Sequence, residues 1–155
     1  MITKSILKVK NLKLRKATAD DSEFAYQTKK ASFREYLEKA SVWNEEEQRK
    51  LHQRRFAEHD FRIIHLSGVD VGILAMSRQP DRIKLNQMFI LPEYQCKGIG
   101  GACMTLVITE AAVSELTIQL RVLKVNPRAL MFYQRLGFKQ TGATETHILM
   151  ERPAE

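Results

Sequence analysis

Residues 95–102 read Gln-Cys-Lys-Gly-Ile-Gly-Gly-Ala (QCKGIGGA), three glycines and a lysine directly ahead of an apolar, helix-like run. A glycine-rich turn that opens a helix presents backbone N–H groups with no partner inside that helix, and phosphate is a common ligand for them. The same letters also suit a mobile turn with nothing bound. The stretch before it, RIKLNQMFIL (82–91), has a strand pattern stopped by Pro92, which lacks a ladder N–H. Beyond it, Ile99, Ala102, Cys103, Leu106, Val107 and Val113 fall near one helical face, and TIQLRVLKV (117–125) is again a strand. Strand, turn, helix and strand in this order predict one parallel crossover.

Working outward, NLKLRKAT sets Leu12 and Leu14 against Lys13 and Arg15, the alternation of a first strand. Thr18, Asp20 and Asp21 supply a helix start, with acids where the helix dipole favours them, and that helix runs to about Lys39. Asn44 opens a second helix, to about Ala57, with Glu45, Glu46 and Glu47 in its first turn and a capping-box spacing. FRIIHL and VGILAMS flank Ser67-Gly68-Val69-Asp70 as a hairpin, and Gln79-Pro80-Asp81 makes the next turn. Asn126-Pro127 starts a last helix, which stops at Gly137 before apolar Phe138. FKQTGATETHILME then supplies two closing strands about Gly142. The order β-α-α-β-β-β-α-β-α-β-β describes an α/β chain: a mixed, mostly antiparallel sheet with one parallel crossover and helices on both faces. No repeat or linker divides it, so a single domain over residues 1–155 is expected.

The composition, 44% apolar and 28% charged, supports a proper core. Two cysteines, Cys96 and Cys103, make a poor disulfide framework, and no Cys/His cluster has zinc-like spacing. A reduced, cytoplasmic protein without a metal is expected. MITKSILKVKNLKLRK is interrupted by lysine too often to hold the apolar stretch of a signal peptide, and no run approaches a membrane span. The net charge of +7 invites a nucleic-acid reading. Its distribution weakens that reading: Lys4, Lys8, Lys10, Lys13, Arg15 and Lys16 carry +6, leaving +1 for the rest of the chain. One basic strip attracts phosphates or acidic proteins non-specifically.

Two well-known phosphate cradles fail. The nucleotide-triphosphate loop needs Gly-Lys-Ser/Thr, but Lys97 precedes Gly98 and no such pair follows. The dinucleotide fingerprint needs a third glycine where Cys103 stands, and Pro92 to Lys97 separate the turn from its strand. A different pattern is filled: Gln-x-x-Gly-x-Gly/Ala, by Gln95, Gly98 and Gly100. This resembles the GNAT superfamily of N-acetyltransferases, which bind the pyrophosphate of acetyl-CoA at such a turn. MFILPEYQCKGIGGA looks like that family's strand–loop–helix, VNPRALMFYQRLGF like its next signature, and the likeness in element order runs from Leu12 to Arg152.

The resemblance assigns the pyrophosphate cradle to the backbone of Gln95, Cys96, Lys97, Gly98, Ile99, Gly100 and Gly101, with Lys97 either a charge contact or merely solvated. It lays the pantetheine arm along Met88, Phe89 and Ile90, where one N–H would polarise the thioester carbonyl. It gives Asn126 a cofactor contact and Tyr133 the role of proton donor to the departing thiolate. A phenol of pKa about 10 is protonated at neutral pH and suits a thiolate of pKa about 8.5. The alternatives are a helix cap for Asn126 and a core aromatic for Tyr133. Relatives carry a glutamate near the positions of Asn86 and Gln87, or on the next strand where Arg121 stands. The general base is therefore open among Glu35, Glu145, His147 and a water chain. Phe33, Glu35, Tyr36, Trp43 and Glu46 are candidates to line the acceptor site, a primary amine of unread identity. Direct transfer is expected rather than relay through Cys96 or Cys103, and a homodimer is a family-level expectation. Two other functions stay open at this point: an acyl-CoA-binding regulatory domain without catalysis, and a basic nucleic-acid- or ribosome-associated module.

Overall fold

The computed structural model describes residues 9–40 and 43–154, with 34–40 described by their backbone alone. Its strands form one seven-stranded sheet, mostly antiparallel with one parallel pair. In chain order the strands are β1 (Leu12–Lys16), β2 (Asp60–Leu66), β3 (Val69–Arg78), β4 (Arg82–Ile90), β5 (Thr117–Leu123), β6 (Lys139–Ala143) and β7 (His147–Arg152). Their spatial order is β1-β2-β3-β4-β5-β7-β6. The helices are α1 (Ser22–Ala40), α2 (Glu45–Glu58), α3 (Ile99–Val113) and α4 (Pro127–Arg135). Contacts divide the chain into two compact units, one of residues up to Met76 with Gln87–Leu106, the other of Ser77–Asn86 with Val107 onward. Strands β3 and β4 and helix α3 run through both.

In the first unit, β1 pairs antiparallel with β2, Leu14 opposite Ile64. Period-2 alternation sends neighbouring residues of β2 to opposite faces. Ile63 joins Ala25, Phe61, Ile73 and Ala75 in one buried cluster, while Ile64 joins Val71, Ile99, Ala102 and Cys103 in another. Helices therefore cover both faces, α1 one and the start of α3 the other. Burying each such isoleucine stabilises the fold by roughly 1.5–3 kcal/mol. The β2–β3 turn is tighter than the sequence predicts. Ser67 (φ 48°) and Gly68 (φ 87°) alone form it, both left-handed as two-residue hairpins require. Further along, the register steps from Ile64–Gly72 to His65–Asp70, leaving Val71 as an extra residue. The bulged Val71 carbonyl accepts the Leu91 N–H at 2.9 Å.

Helix α1 is preceded by a 3₁₀ turn, Ala19–Asp21, not foreseen as separate from it. Thr18 and Asp21 close that turn reciprocally as a capping box. Arg15 reaches both Asp21 and Asp70 at 2.9 Å, and its guanidinium holds the Asp21 carboxyl down at about 2. Asn44 caps α2 as predicted, accepting the Glu47 N–H at 3.0 Å.

In the second unit, Arg82–Leu85 of β4 pairs in parallel with Thr117–Leu120 of β5. Among the described residues that ladder ends there while both strands run on, β4 to Ile90 and β5 to Leu123. Helix α4 closes in a Schellman motif: Phe138 N–H donates to the Tyr133 carbonyl and Gly137 N–H to that of Gln134, both 3.0 Å, with Gly137 at φ 92°. Two expectations are corrected. Gly142 lies inside β6 beside a register shift, and the closing turn is Thr144-Glu145-Thr146. Leu106 and Val113 do not join the buried stripe of α3, being 37% and 81% exposed. Met104, Thr105, Ile108 and Ala111 are buried instead, because α3 is covered around most of its circumference.

Candidate active site: the turn at Pro92–Gly101 and the end of β4

Pro92 ends β4 and starts a 3₁₀ turn, Pro92–Tyr94. The Gln95 N–H is engaged inside that turn by the Pro92 carbonyl at 3.2 Å, and its side chain reaches back, Nε2 donating to the Ile90 carbonyl at 2.8 Å. Gln95 thus ties the turn to the strand end. The next residues reverse direction through two left-handed positions, Cys96 (φ 61°) and Gly98 (φ 81°). Only the second carries the residue that adopts such a φ without strain. The first ladder bond of α3 runs from Ala102 N–H to the Gly98 carbonyl at 3.1 Å. The amides of Ile99, Gly100 and Gly101 stand ahead of it, where a helix has no carbonyl to offer them. Lys97 is exposed beside them. Three first-turn amides, a helix N-terminus and an adjacent cation fit a phosphate or pyrophosphate group.

At the end of β4 the side chains divide between the faces. Met88 and Ile90 pack on the cluster shared with Ile99 and Ala102, and Phe89 on the cluster with Ile63 and Ile73. The Phe89 carbonyl comes so close to β3 that a Cβ on Gly72 would lie 2.5 Å from it. Ser32 of α1 donates through Oγ to the Ile90 carbonyl at 3.3 Å, and to the Thr28 carbonyl at 2.9 Å. Neither Gly72 nor Ser32 stood out in the sequence. A lone glycine in a strand pattern marks close backbone approach, which was the available signal for the first.

Of the predicted acceptor residues, Phe33 and Trp43 come together, ring centroids 6.4 Å apart, and Phe33 stands 5.3 Å from Phe89. The side chains of Glu35 and Tyr36 lie outside the described residues. Glu46 is exposed and pairs with Lys50 at 3.3 Å, one turn along α2. The neighbouring Glu45 makes the connection instead, accepting from Lys30 of α1 and from the Tyr26 hydroxyl.

In the second unit, Asn126 is the cap of α4, Oδ1 accepting the Ala129 N–H at 3.1 Å. Tyr133 is half-buried, edge-on to Phe132 at 4.9 Å and to Phe138 at 5.5 Å. His147 Nδ1 lies 2.8 Å from Thr146 Oγ1, and burial together with Arg121 holds its pKa below the usual imidazole range. It is therefore neutral at pH 7, able to accept a proton. Glu145 is exposed at the tip of the β6–β7 turn. Asn86 is exposed and donates to Ser77 Oγ at 2.7 Å. Cys96 is exposed, while Cys103 is buried among apolar groups that push its thiol up to about 12. No group of three or more metal-ligating side chains occurs among the described residues. No described helix is long and apolar enough to cross a membrane.

The profile of the acetyltransferase (GNAT) domain matches residues 52–140, more than half of the chain and inclusive of the turn. An uncharacterized N-acetyltransferase of Mycobacterium bovis is 36% identical over 88 residues, 56% of this chain and 52% of that protein. A Mycobacterium tuberculosis counterpart matches equally. The chain spans about half the length of the curated relatives it matches. Among solved structures, an acetyltransferase from Thermus thermophilus superposes with a TM-score of 0.75 at 20% identity, over 94% of this chain and 99% of that one. The PaiA N-acetyltransferase of Thermoplasma acidophilum, solved in complex with coenzyme A, gives 0.72 at 18% identity, over 93% and 99%. At such identities the likeness is one of fold, and it extends well beyond the matched segment. With the profile centred on the β4–turn–α3 passage and the fold agreeing over almost its full length, this chain belongs to the GNAT family of acetyltransferases.

Proposed function

We propose that this protein, as one domain over residues 1–155, is an acetyl-CoA-dependent N-acetyltransferase that transfers the acetyl group directly to a primary amine. The observation that carries the reading is the turn itself: two left-handed residues, Cys96 and Gly98, lead into α3, whose ladder begins only at Ala102, so the amides of Ile99, Gly100 and Gly101 have no carbonyl within the helix. When bound, acetyl-CoA supplies the anionic pyrophosphate for those amides and an activated thioester for transfer. The run-on of β4 beyond the ladder at Leu85 leaves Met88, Phe89 and Ile90 with strand backbone suited to an arm that carries its own amides. Tyr133 donates the proton that the leaving thiolate needs, and Asn126 contacts the cofactor while capping α4. The attacking nitrogen must lose a proton. His147, neutral at pH 7, can accept it; Glu145, Glu35 and a water chain are the other routes. Direct transfer is favoured over a cysteine relay because the Cys103 thiol is buried and stays protonated. A cytoplasmic location and a homodimer belong to the same reading.

The test is a thermal melt with acetyl-CoA, CoA, ATP, NAD or buffer alone. At a hundredfold over its dissociation constant, a ligand of the native state adds about 2.7 kcal/mol. For a domain of this size that raises Tm by roughly 5–10 °C. A rise confined to acetyl-CoA and CoA is expected; its absence in folded protein overturns the cofactor assignment. For catalysis, Tyr133→Phe is expected to lower kcat by roughly 10²–10⁴-fold while the CoA-induced rise persists. Unchanged kcat would remove Tyr133 from the mechanism.

A further inference from the structure

The bulge at Val71 joins the edge of the sheet to the turn at Pro92–Gly101, and a charge network fixes its register. Asp70 Oδ2 accepts from Arg15 Nη2 at 2.9 Å and Oδ1 from His65 Nδ1 at 2.8 Å, so both carboxylate oxygens are taken. Arg15 is held in turn by two 2.9 Å bonds to Asp21, whose Oδ2 accepts the Thr18 N–H ahead of α1. Closing the bulge by one residue would set Val71 opposite His65 and Asp70 opposite Leu66. Such a slip sends each side chain to the other face. Asp70 would lose Arg15 and His65 and enter the apolar cluster of Ile64, against which Leu66 packs. A carboxylate taken out of water without a partner is strongly disfavoured, so Asp70 selects the bulged register.

Val71, the residue that the bulge sets apart, holds the turn in two ways. Its carbonyl accepts the Leu91 N–H at 2.9 Å, directly ahead of Pro92. Its side chain is fully buried in one cluster with Ile99 and Ala102 of the first turn of α3, and Tyr94 of the 3₁₀ turn packs against the same cluster. Leu91 and Ile99 are the two ends of the turn, so a displaced Val71 displaces both. Bulges beside functional sites commonly aim a strand in this way. Resting on the acetyltransferase reading above, we propose that Asp70 is a positioning residue for coenzyme A binding: gripped by Arg15 and His65, it fixes the bulge through which Val71 holds both ends of the pyrophosphate turn. The effect passes through Val71 and needs no contact between Asp70 and the cofactor.

The experiment titrates CoA into wild type and Asp70→Asn, with Arg15→Gln as a second variant should the first not fold. Arg62→Gln, which removes a different ion pair of the same sheet, with Asp60, is the control. Asp70→Asn is expected to raise Kd for CoA by about tenfold, as a small misplacement of a binding turn does, while Arg62→Gln leaves it unchanged. A Kd that does not move in Asp70→Asn, or that moves equally in Arg62→Gln, overturns the proposal. Amide hydrogen exchange gives a second readout. The Leu91 N–H is expected to exchange about tenfold faster in Asp70→Asn, and the Leu120 N–H in the middle of β5 to change far less, because the opening is local. Equal acceleration at both amides, the mark of general destabilisation, overturns the proposal. Exchange also separates this from the parent reading. Should wild type bind no CoA, the cofactor assignment falls; selective acceleration at Leu91 still supports Asp70 as the residue that holds the turn, and its absence overturns that role.

Discussion

The turn at Pro92–Gly101 and the helix pair α1–α2 belong to the same compact unit, yet they are held by different kinds of chemistry. The turn is a backbone construction. Its shape comes from Cys96 and Gly98 in left-handed conformations, from the close pass of Gly72 beneath Phe89, and from Val71 and Leu91 joined main chain to main chain. Apart from Gln95, whose side chain holds the Ile90 carbonyl, and the buried Ile99, its side chains are mostly exposed. The helix pair is a side-chain construction. Arg49 stands 4.3 Å over the Tyr26 ring and also pairs with Glu23 and Glu45. His52 is wedged among Tyr26, Phe56 and Phe61, its Nε2 donating to the Ser22 carbonyl at 3.0 Å. A backbone construction tolerates many side-chain changes and fails when a Cβ intrudes. A side-chain construction answers to charge and pH.

The sharpest way to break this contrast is Gly72→Ala. The added Cβ would meet the Phe89 carbonyl oxygen at 2.5 Å and the Ile90 Cα at 3.1 Å, neither of which can rotate away. A cost of about 3 kcal/mol is expected, at the upper end for overpacking. For a chain of this size that lowers Tm by roughly 6–12 °C. A neutral result would show that β3 and β4 are not locked at this point.

Gly98→Ala should act differently. The new Cβ finds room, its nearest neighbour being Val9 Cγ2 at 3.7 Å, but φ 81° puts an L-residue in the left-handed region. That costs about 1–2 kcal/mol and should lower Tm by roughly 2–8 °C. The CoA-induced rise in Tm is expected to shrink with it. A variant that loses stability and keeps the full rise would mean that Gly98 shapes the turn without serving the ligand.

The smallest effect belongs to the helix pair and is read by pH. Burial, more than any other cause, holds His52 below its ordinary value of 6.5. The unfolded chain therefore binds the proton more readily, and stability from this site is complete above about pH 6.5. It falls as the pH drops from there through the lower folded value. His59 and His147 are shifted in the same direction, so the measurement compares wild type with His52→Gln. Tm is expected to decline more steeply between pH 7.5 and 5 in wild type than in the variant. Parallel profiles would remove His52 from the account.

Much of this was legible from residue order, because local patterns carry it. The QCKGIGGA turn, Pro92, the Asn44 and Asn126 caps and the Gly137 stop are each decided by backbone geometry within a few residues. The closing turn was misplaced because Gly142 is as consistent with a bulge as with a turn, and only pairing with β7 distinguishes the two. The α3 stripe was misjudged at Leu106 and Val113 because burial depends on what other elements cover, which a single helix's periodicity does not contain. Asn126 and Tyr133 are singled out by the resemblance alone, and the ring contacts of Tyr133 with Phe132 and Phe138 needed three dimensions, as did the Asn126 cap on Ala129.

By itself the sequence determined the order of elements, the single parallel crossover and the phosphate-suited turn, since these follow from period, capping and glycine placement over short spans. Tertiary structure decided the rest. Gly72 passes 2.5 Å from the Phe89 carbonyl, measured from the Cβ it lacks, across 17 residues of chain. Arg15 reaches Asp70 from 55 residues away. Gln87 is a polar letter like its neighbour Asn86 until the fold buries one and exposes the other. Those distinctions depend on which residues meet across long loops, and desolvation is a property of the assembled surroundings rather than of any residue taken in order.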